Sequence, residues 1–278
     1  MLDIPYKTFS FKDYTIEGFS RAAVQTFWRI PEFHLGFDLG AQPWSFMGTP
    51  NWFISHTHLD HIAFLPNYVA RRRMMGMDPP RVFLPEKNVD AVAKVLRLWG
   101  QLDCGNYPCD LIGVKDGDTV ELSREIVVEA HATVHRVPSL GFVVYHRRRK
   151  LLPELLELSG DEIRTIKESG KQIDYEIKVP KLAYLGDSQI AGLDRNEIFY
   201  KAETLIMEMT FVEDEHVSDV IGKRGHIHLR DVAARQEKFE NELIIAAHFT
   251  ARSIRPQIEE CVRKSLPTML DGRLKLWI

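Results

Sequence analysis

His56-Thr57-His58-Leu59-Asp60-His61 is the stretch from which the architecture of this chain can be read. It packs three imidazoles and a carboxylate into six residues, directly after Trp52–Ser55, which reads as a short strand of the fully buried kind. Zinc prefers imidazole nitrogen and carboxylate oxygen, and catalytic sites leave a position open for water. His56 and His58 are two apart at a strand end, so both rings project to the same side. Asp60 and His61 follow in the turn into the next helix and can aim at a second metal beside the first. Solvated loop histidines would not need a carboxylate and a buried strand beside them.

Two metals need more ligands than one cluster supplies. Three candidates also stand at strand ends: His135 after Ala130–Val134, Asp187 after Leu182–Leu185 and His248 after Leu243–Ala247. Ligands just past buried strands are held by a rigid scaffold, as a dinuclear site requires. Asp187 is then a carboxylate available to bridge the metals.

The surrounding chain supplies that scaffold. Tyr14–Phe19, Ala22–Arg29 and Phe33–Asp38 read as strands, and Ile62, Leu65, Tyr68 and Val69 recur at helical spacing, with Arg71, Arg72 and Arg73 in the last turn, where cations suit the helix dipole. Arg81–Leu84 is expected as a strand and Val89–Leu102 as an amphipathic helix. Thr119–Leu122, Ile126–Thr133, Gly141–Tyr145 and Thr204–Met209 are expected as further strands. Leu151–Lys171 is charged and helical in pattern with little sign of a buried face. Helical patterns follow at Leu229–Phe239 and Ile254–Ser265. No linker rich in Gly, Ser or Pro interrupts the chain, which favours one domain over residues 1–278, with sheet in the middle and helices outside.

The 278 residues are 45% apolar and 27% charged, an ordinary globular composition. No apolar run approaches the roughly 18 residues of a membrane span, and Met1–Ser10 lacks the apolar stretch of a secretion signal. A soluble, cytoplasmic protein without a membrane partner is the expectation. A net charge of −3 does not advertise nucleic-acid binding, so an RNA partner has to be met by local basic patches. Cys104, Cys109 and Cys261 are too few for a disulfide framework; the first two can be a metal pair or ordinary thiols.

His56-x-His58-x-Asp60-His61, His135, Gly186-Asp187 and His248 together resemble the ordered motif series of metallo-β-lactamase fold hydrolases. That resemblance implies an α+β fold, the αββα four-layer sandwich, with the site at one edge. It implies that His56, His58 and His135 hold one zinc, that Asp60, His61 and His248 hold the other, and that Asp187 bridges them. Manganese or iron can occupy such a set too. Asp38, in Phe37-Asp38-Leu39-Gly40, matches a carboxylate that supports the site without ligating metal.

The fold hosts many chemistries, and the neighbouring motifs narrow the choice. Leu205-Ile206-Met207-Glu208-Met209-Thr210-Phe211, Gly225-His226-Ile227-His228 and His248-Phe249-Thr250-Ala251-Arg252 are similar to the motifs of tRNase Z. This is the endonuclease that trims tRNA 3′ trailers, and the likeness is greatest to its short plant-type form, which also has a segment like Leu158–Ile163. The resemblance implies two zinc ions, precursor tRNA as substrate and a homodimer. It also gives Asp60, Glu208 and His226 the catalytic roles: Asp60 on the attacking water and His226, paired with Glu208, on the leaving 3′ oxygen. A neighbouring carboxylate keeps an imidazole protonated near neutral pH, which makes the pair physically sensible.

The sequence departs from the family pattern at Met207, where a histidine is usual, at His228, where a threonine is usual, and after Asp187. His228 is either an extra metal ligand or, since it opens a helical pattern, a structural residue near the helix start. Bacterial relatives carry a Gly/Pro-rich arm to grip tRNA. Here residues 147–180 instead offer Arg147, Arg148, Arg149 and Lys150 around an expected helix, either as phosphate contacts or as a solvated surface. Arg252 is a further candidate contact. The alternative reading is a metal-dependent phosphodiesterase acting on small substrates with the same dinuclear core.

Overall fold

Strands buried on both faces dictate a layered molecule, because each face needs its own cover. The computed structural model describes residues 4–213 and 225–278. In Leu182–Leu185 the side chains of Leu182 and Tyr184 enter one core cluster, while Ala183 and Leu185 enter another. Phe53 likewise faces one core, with Trp52 and Ile54 facing a third. This two-sided burial is why these strands read as unbroken apolar runs.

The first sheet holds β1 (Lys7–Phe11), β2 (Tyr14–Arg21), β3 (Gln25–Ile30), β4 (Leu35–Leu39), β5 (Asn51–Phe53), β6 (Arg81–Pro85) and β7 (Asp110–Val114) in that order. Its first four strands form an antiparallel meander, and β4 to β7 run parallel. The second sheet repeats the plan. It contains β8 (Thr119–Glu121), β9 (Ile126–Ala132), β10 (Leu140–Leu151), β11 (Asp174–Tyr184), β12 (Thr204–Glu208), β13 (Leu243–Ala247) and β14 (Leu274–Leu276). Here β8 to β11 are antiparallel and β11 to β14 parallel.

The sheets face each other across Trp28, Phe37, Phe53, Phe142, Tyr184 and Ile245. Helices α2 (Leu65–Met74) and α3 (Val89–Leu102) cover the first sheet through Leu65, Tyr68, Val69 and Leu96. The second sheet is covered by α5 (Ile190–Arg195), α6 (Ile198–Lys201), α7 (Leu229–Ala233) and α8 (Arg255–Ser265), through Leu193, Phe199, Val232, Ile258 and Val262. The result is the αββα four-layer sandwich. The Phe37 ring lies 4.7 Å from that of Tyr184, and losing such a buried aromatic costs about 3–5 kcal/mol. That core contact also carries the Tyr184 hydroxyl to Asp38 at the sheet edge.

Several boundaries differ from expectation. Arg147–Lys150 do not flank a helix; they continue β10. Strand β9 pairs with β10 only as far as His146, and β12 reaches only Leu182–Tyr184 of β11. Beyond those limits β10 and β11 pair with each other alone, out to Leu151 and Asp174. This two-stranded ribbon, tipped by residues 152–173, has no buried face to impose alternation, so the sequence hides it. Within the tip, helix α4 covers only Gly160–Glu168, opened by a reciprocal Ser159–Glu162 cap. Strand β3 starts at Gln25, because Ala23 takes a positive φ of 58° in the preceding turn. Phe33 belongs to a 3₁₀ turn rather than β4, and the helix from Leu229 stops at Ala233. Strands β1, β7 and β14 and helices α5 and α6 were not signalled by periodicity.

Candidate metal centre

Short connections from the strand ends place the histidines and carboxylates along one edge of the sandwich. His56 and His58 follow β5, and α1 (Leu59–Ile62) carries Asp60 and His61. His135 lies in the loop after β9, Asp187 past β11, and His248 directly after β13. Asp38 and His248 both hold the left-handed backbone, at φ 56° and 59°. Two glycines permit the close approach. A Cβ on Gly40 would lie 1.8 Å from the Asp60 carbonyl oxygen, and one on Gly186 (φ 65°) would lie 2.6 Å from Ser55 Cβ.

The donor atoms fall into groups. His56 Nε2 lies 3.0 Å from His58 Nδ1, which lies 3.2 Å from His135 Nε2. Asp187 completes that group of four, whose ligand atoms are all within 4.8 Å of one another. Asp60, His61 and His248 form a second such group, with His61 Nε2 3.3 Å from His248 Nε2. Asp187 lies between the two: Oδ2 is 3.8 Å from His56 Nε2 and 3.4 Å from His61 Nε2, and Oδ1 is 3.4 Å from His248 Nε2. All seven residues expected as ligands therefore meet. Neither Cys104 nor Cys109 belongs to a metal-competent cluster among the described residues.

Hydrogen bonds on the far side of each ring decide what the near side presents. Asp38 is fully buried and accepts from the Ser55 N–H (2.7 Å), the Ser55 hydroxyl (2.8 Å), His61 Nδ1–H (2.7 Å) and the Tyr184 hydroxyl. Because the Ser55 proton goes to Asp38, Ser55 Oγ accepts from His56 Nδ1–H at 3.0 Å. The Gly225 carbonyl accepts from His135 Nδ1–H at 2.9 Å. His56, His61 and His135 thus turn their Nε2 atoms inward. Imidazole nitrogens oriented from their far side and gathered around a buried carboxylate are donors that a divalent ion takes, so the set fits a divalent metal.

The electrostatics distinguish the rings. Burial, with His61 nearby, pushes His56 well below the ordinary imidazole range. Burial also lowers His58 and His135, each with neighbouring imidazoles adding to it. His61 is buried too, yet Asp187 and Asp38 outweigh burial and hold it well above that range. Asp187 is held well below the carboxylate range, against burial, by His248, His61 and His56. In Asp60 burial is likewise overcome, here by His248 and His61, and the carboxyl sits at about 2. Its Oδ2 also accepts the Ala23 N–H at 2.9 Å.

Beside the cluster, His226 Nδ1 lies 3.0 Å from Glu208 Oε1. Burial lowers this imidazole, but the Glu208 carboxylate prevails, and His226 stands at about 9. Glu208 also accepts the Ser188 N–H (2.7 Å), the Ile227 N–H (3.2 Å) and the Thr210 hydroxyl, so it is both the partner of His226 and an anchor for backbone. Asp187, His226 and His248 form a third group able to hold a metal.

His228 caps α7: its Nδ1 accepts the Arg230 N–H at 3.0 Å and its Nε2 meets the Glu213 carbonyl at 3.2 Å. Met207 packs into the core on the helix side of the second sheet. The basic residues separate. Arg147 is tied to Glu121 (2.6 Å) and to the Arg124 carbonyl, while Arg148, Arg149 and Lys150 are exposed, Arg149 with Asp174 3.3 Å away. Arg252 is exposed four residues after His248. The structure adds Ser55, Tyr184, Ser188 and the Gly225 carbonyl. Nothing in the sequence marks these, since Tyr184, Ser188 and Gly225 meet partners remote along the chain and Ser55 is fixed by the distant Asp38.

The chain is 35% identical over 274 residues to tRNase Z TRZ1 of Arabidopsis thaliana, covering 96% of each. It belongs to the tRNase Z family. The chloroplastic tRNase Z TRZ2 of the same plant is 33% identical, over 91% of this chain and 72% of that protein. Among solved structures, the metallo-β-lactamase fold protein YhfI of Bacillus subtilis superposes with a TM-score of 0.59 at 12% identity, covering 95% and 87% of the two chains. The short form of human tRNase Z gives 0.52 at 16%, covering 86% and 87%. At these identities the superpositions establish the fold alone. No family model matches the chain.

Proposed function

We propose that this chain is a metal-dependent endoribonuclease that removes 3′ trailers from precursor tRNA by phosphodiester hydrolysis. Its membership of the tRNase Z family carries the reading. The Glu208–His226 pair beside a metal-competent cluster supplies the matching chemistry.

His56, His58 and His135 would hold one zinc ion and Asp60, His61 and His248 a second, with Asp187 between them. Manganese and iron suit the same donors. When bound, such ions supply an activated water and neutralise charge on the phosphate. Asp60 is ionised at neutral pH, positioned by the Ala23 N–H, and would orient or deprotonate the attacking water. His226 holds its Nδ1–H against Glu208, which leaves Nε2–H to donate to the 3′ oxygen as the P–O3′ bond breaks. Asp38 supports the cluster through His61.

Substrate grip is assigned to the ribbon of residues 147–180, with Arg148, Arg149 and Lys150 exposed along β10 and Arg147 holding the ribbon to β8. Arg252 is assigned to RNA nearer the centre. A homodimer is supported by the exposed apolar side chains Leu59, Val95, Leu98, Trp99 and Leu102, which a second copy can cover. No helix among the described residues is long and apolar enough to cross a membrane. Cys104 and Cys109 carry free thiols, which suits a reducing compartment.

The test is zinc-loaded protein given a precursor tRNA with a 3′ trailer, alongside a small aryl phosphodiester. Endonucleolytic release of the trailer is expected. Turnover of the small diester alone would replace this reading with a phosphodiesterase of small substrates.

A further inference from the structure

Thr210 stands between the two parts of the site. It is buried, and its hydroxyl oxygen is hydrogen-bonded to Glu208 Oε2 and lies 3.0 Å from His248 Nδ1. A hydroxyl has one proton to give and lone pairs to receive. The carboxylate can only accept, so the Thr210 proton goes to Glu208, and the Thr210 lone pair is left for His248 Nδ1–H. The proton on Nδ1 leaves His248 Nε2 bare, facing Asp187 Oδ1 at 3.4 Å and Asp60 Oδ2 at 3.6 Å.

We propose that Thr210 is a positioning residue that links the Glu208–His226 pair to the metal-facing ring of His248. Resting on the function proposed above, it fixes the tautomer of His248 and the orientation of the carboxylate behind His226 with one hydroxyl. The same device occurs in the other half of the molecule. There Ser55 gives its proton to Asp38 and receives His56 Nδ1–H. Each half of the sandwich thus places a hydroxyl between a buried carboxylate and a histidine of the cluster. A hydroxyl used only to fill its own hydrogen-bonding capacity would not need this order of donors and acceptors twice. The backbone of Thr210 is separately engaged, its carbonyl accepting the Thr250 N–H at 2.9 Å, so a side-chain substitution leaves the link between the ends of β12 and β13 in place.

The test compares Thr210→Val, which keeps the shape and removes the hydroxyl, with Thr210→Ser, which restores it. Zinc affinity is measured by competition with a chromophoric chelator, and kcat and KM on the precursor tRNA. Orienting partners of metal ligands typically contribute about 10–100-fold in affinity or activity, so Thr210→Val is expected to lose zinc affinity and kcat by about that factor. KM should stay within about two-fold, because uniform substrate binding is untouched. Thr210→Ser should recover both properties. Wild-type zinc affinity in Thr210→Val, or a Thr210→Ser variant as impaired as Thr210→Val, overturns the assignment. If Thr210→Val does not fold, Thr210→Ala against Thr210→Ser carries the same comparison. Failure of the wild type to cleave precursor tRNA would sink the functional reading, while the order of zinc affinities still decides the role of Thr210.

Discussion

Asp38→Asn is the substitution whose outcome the structure constrains most closely. Asp38 Oδ1 accepts one hydrogen bond, from the Ser55 N–H, and Oδ2 accepts three, from the Ser55 hydroxyl, His61 Nδ1–H and the Tyr184 hydroxyl. Asparagine offers one oxygen and one NH₂ group. With its oxygen on the His61 side, the NH₂ group opposes the Ser55 N–H. Turned the other way, the NH₂ group opposes His61 Nδ1–H and drives that proton onto Nε2, the atom facing the metal cluster. Either orientation leaves at least one fixed donor without an acceptor, at about 1–3 kcal/mol, and weakens the remaining bonds by removing their charge. A loss of roughly 2–4 kcal/mol follows, a large share of the ~5–15 kcal/mol of a typical domain. At about 2–4 °C per kcal/mol for a chain of this size, metal-free Asp38→Asn should melt on the order of 10 °C below the wild type. Zinc affinity should fall by about 10–100-fold as His61 loses its fixed tautomer. The assays are thermal melting of the metal-free protein and chelator competition. A variant that melts with the wild type and binds zinc as tightly would show that Asp38 does not order this network.

Four further outcomes follow from the same structure. Asp60→Ala should abolish turnover, because both the proton acceptor and a candidate ligand go; measurable kcat in the zinc-loaded variant would reassign the base. His226→Ala should slow kcat by about 10²–10⁴-fold while leaving bound zinc unchanged by elemental analysis; loss of zinc would move His226 into the ligand set. With His226 at about 9, the alkaline limb of kcat should fall there, and in Glu208→Gln it should move toward the ordinary imidazole value of about 6.5. Asp194 accepts from Arg235 Nε at 2.8 Å, Lys238 Nζ at 3.0 Å and the Tyr200 hydroxyl at 2.8 Å, and hydrogen bonding from Arg235 leads in depressing its carboxyl. A depressed folded value stabilises above the unfolded one, so Asp194→Asn should cost about 1–3 kcal/mol at neutral pH, with the gap closing below roughly pH 4; urea titrations at pH 7 and pH 3 check the sign.

Much of the site was legible because its chemistry demands particular residue types at strand ends. His56, His58, Asp60 and His61 announce themselves by density alone, and His135, Asp187 and His248 by standing just past apolar runs. Helix α3 fell where its apolar spacing put it, at Val89–Leu102. The ribbon did not, since a two-stranded segment with both faces in water imposes no alternation, and its charged residues imitate a surface helix. Strand β7 and helices α5 and α6 are short, and their partners rather than their own periodicity define them.

Legible along the chain alone were the candidate ligands, the buried strands and the family, because metal-binding residue types and two-sided burial are both strong, local restrictions. Which nitrogen of each ring faces the centre was set by folding. That choice depends on single hydrogen bonds donated to Ser55, Asp38, the Gly225 carbonyl and Thr210, three of these acceptors lying tens of positions from the ring they hold. A hydroxyl or a carbonyl is too common along a chain to be read as such a partner until folding sets it about 3 Å from one ring.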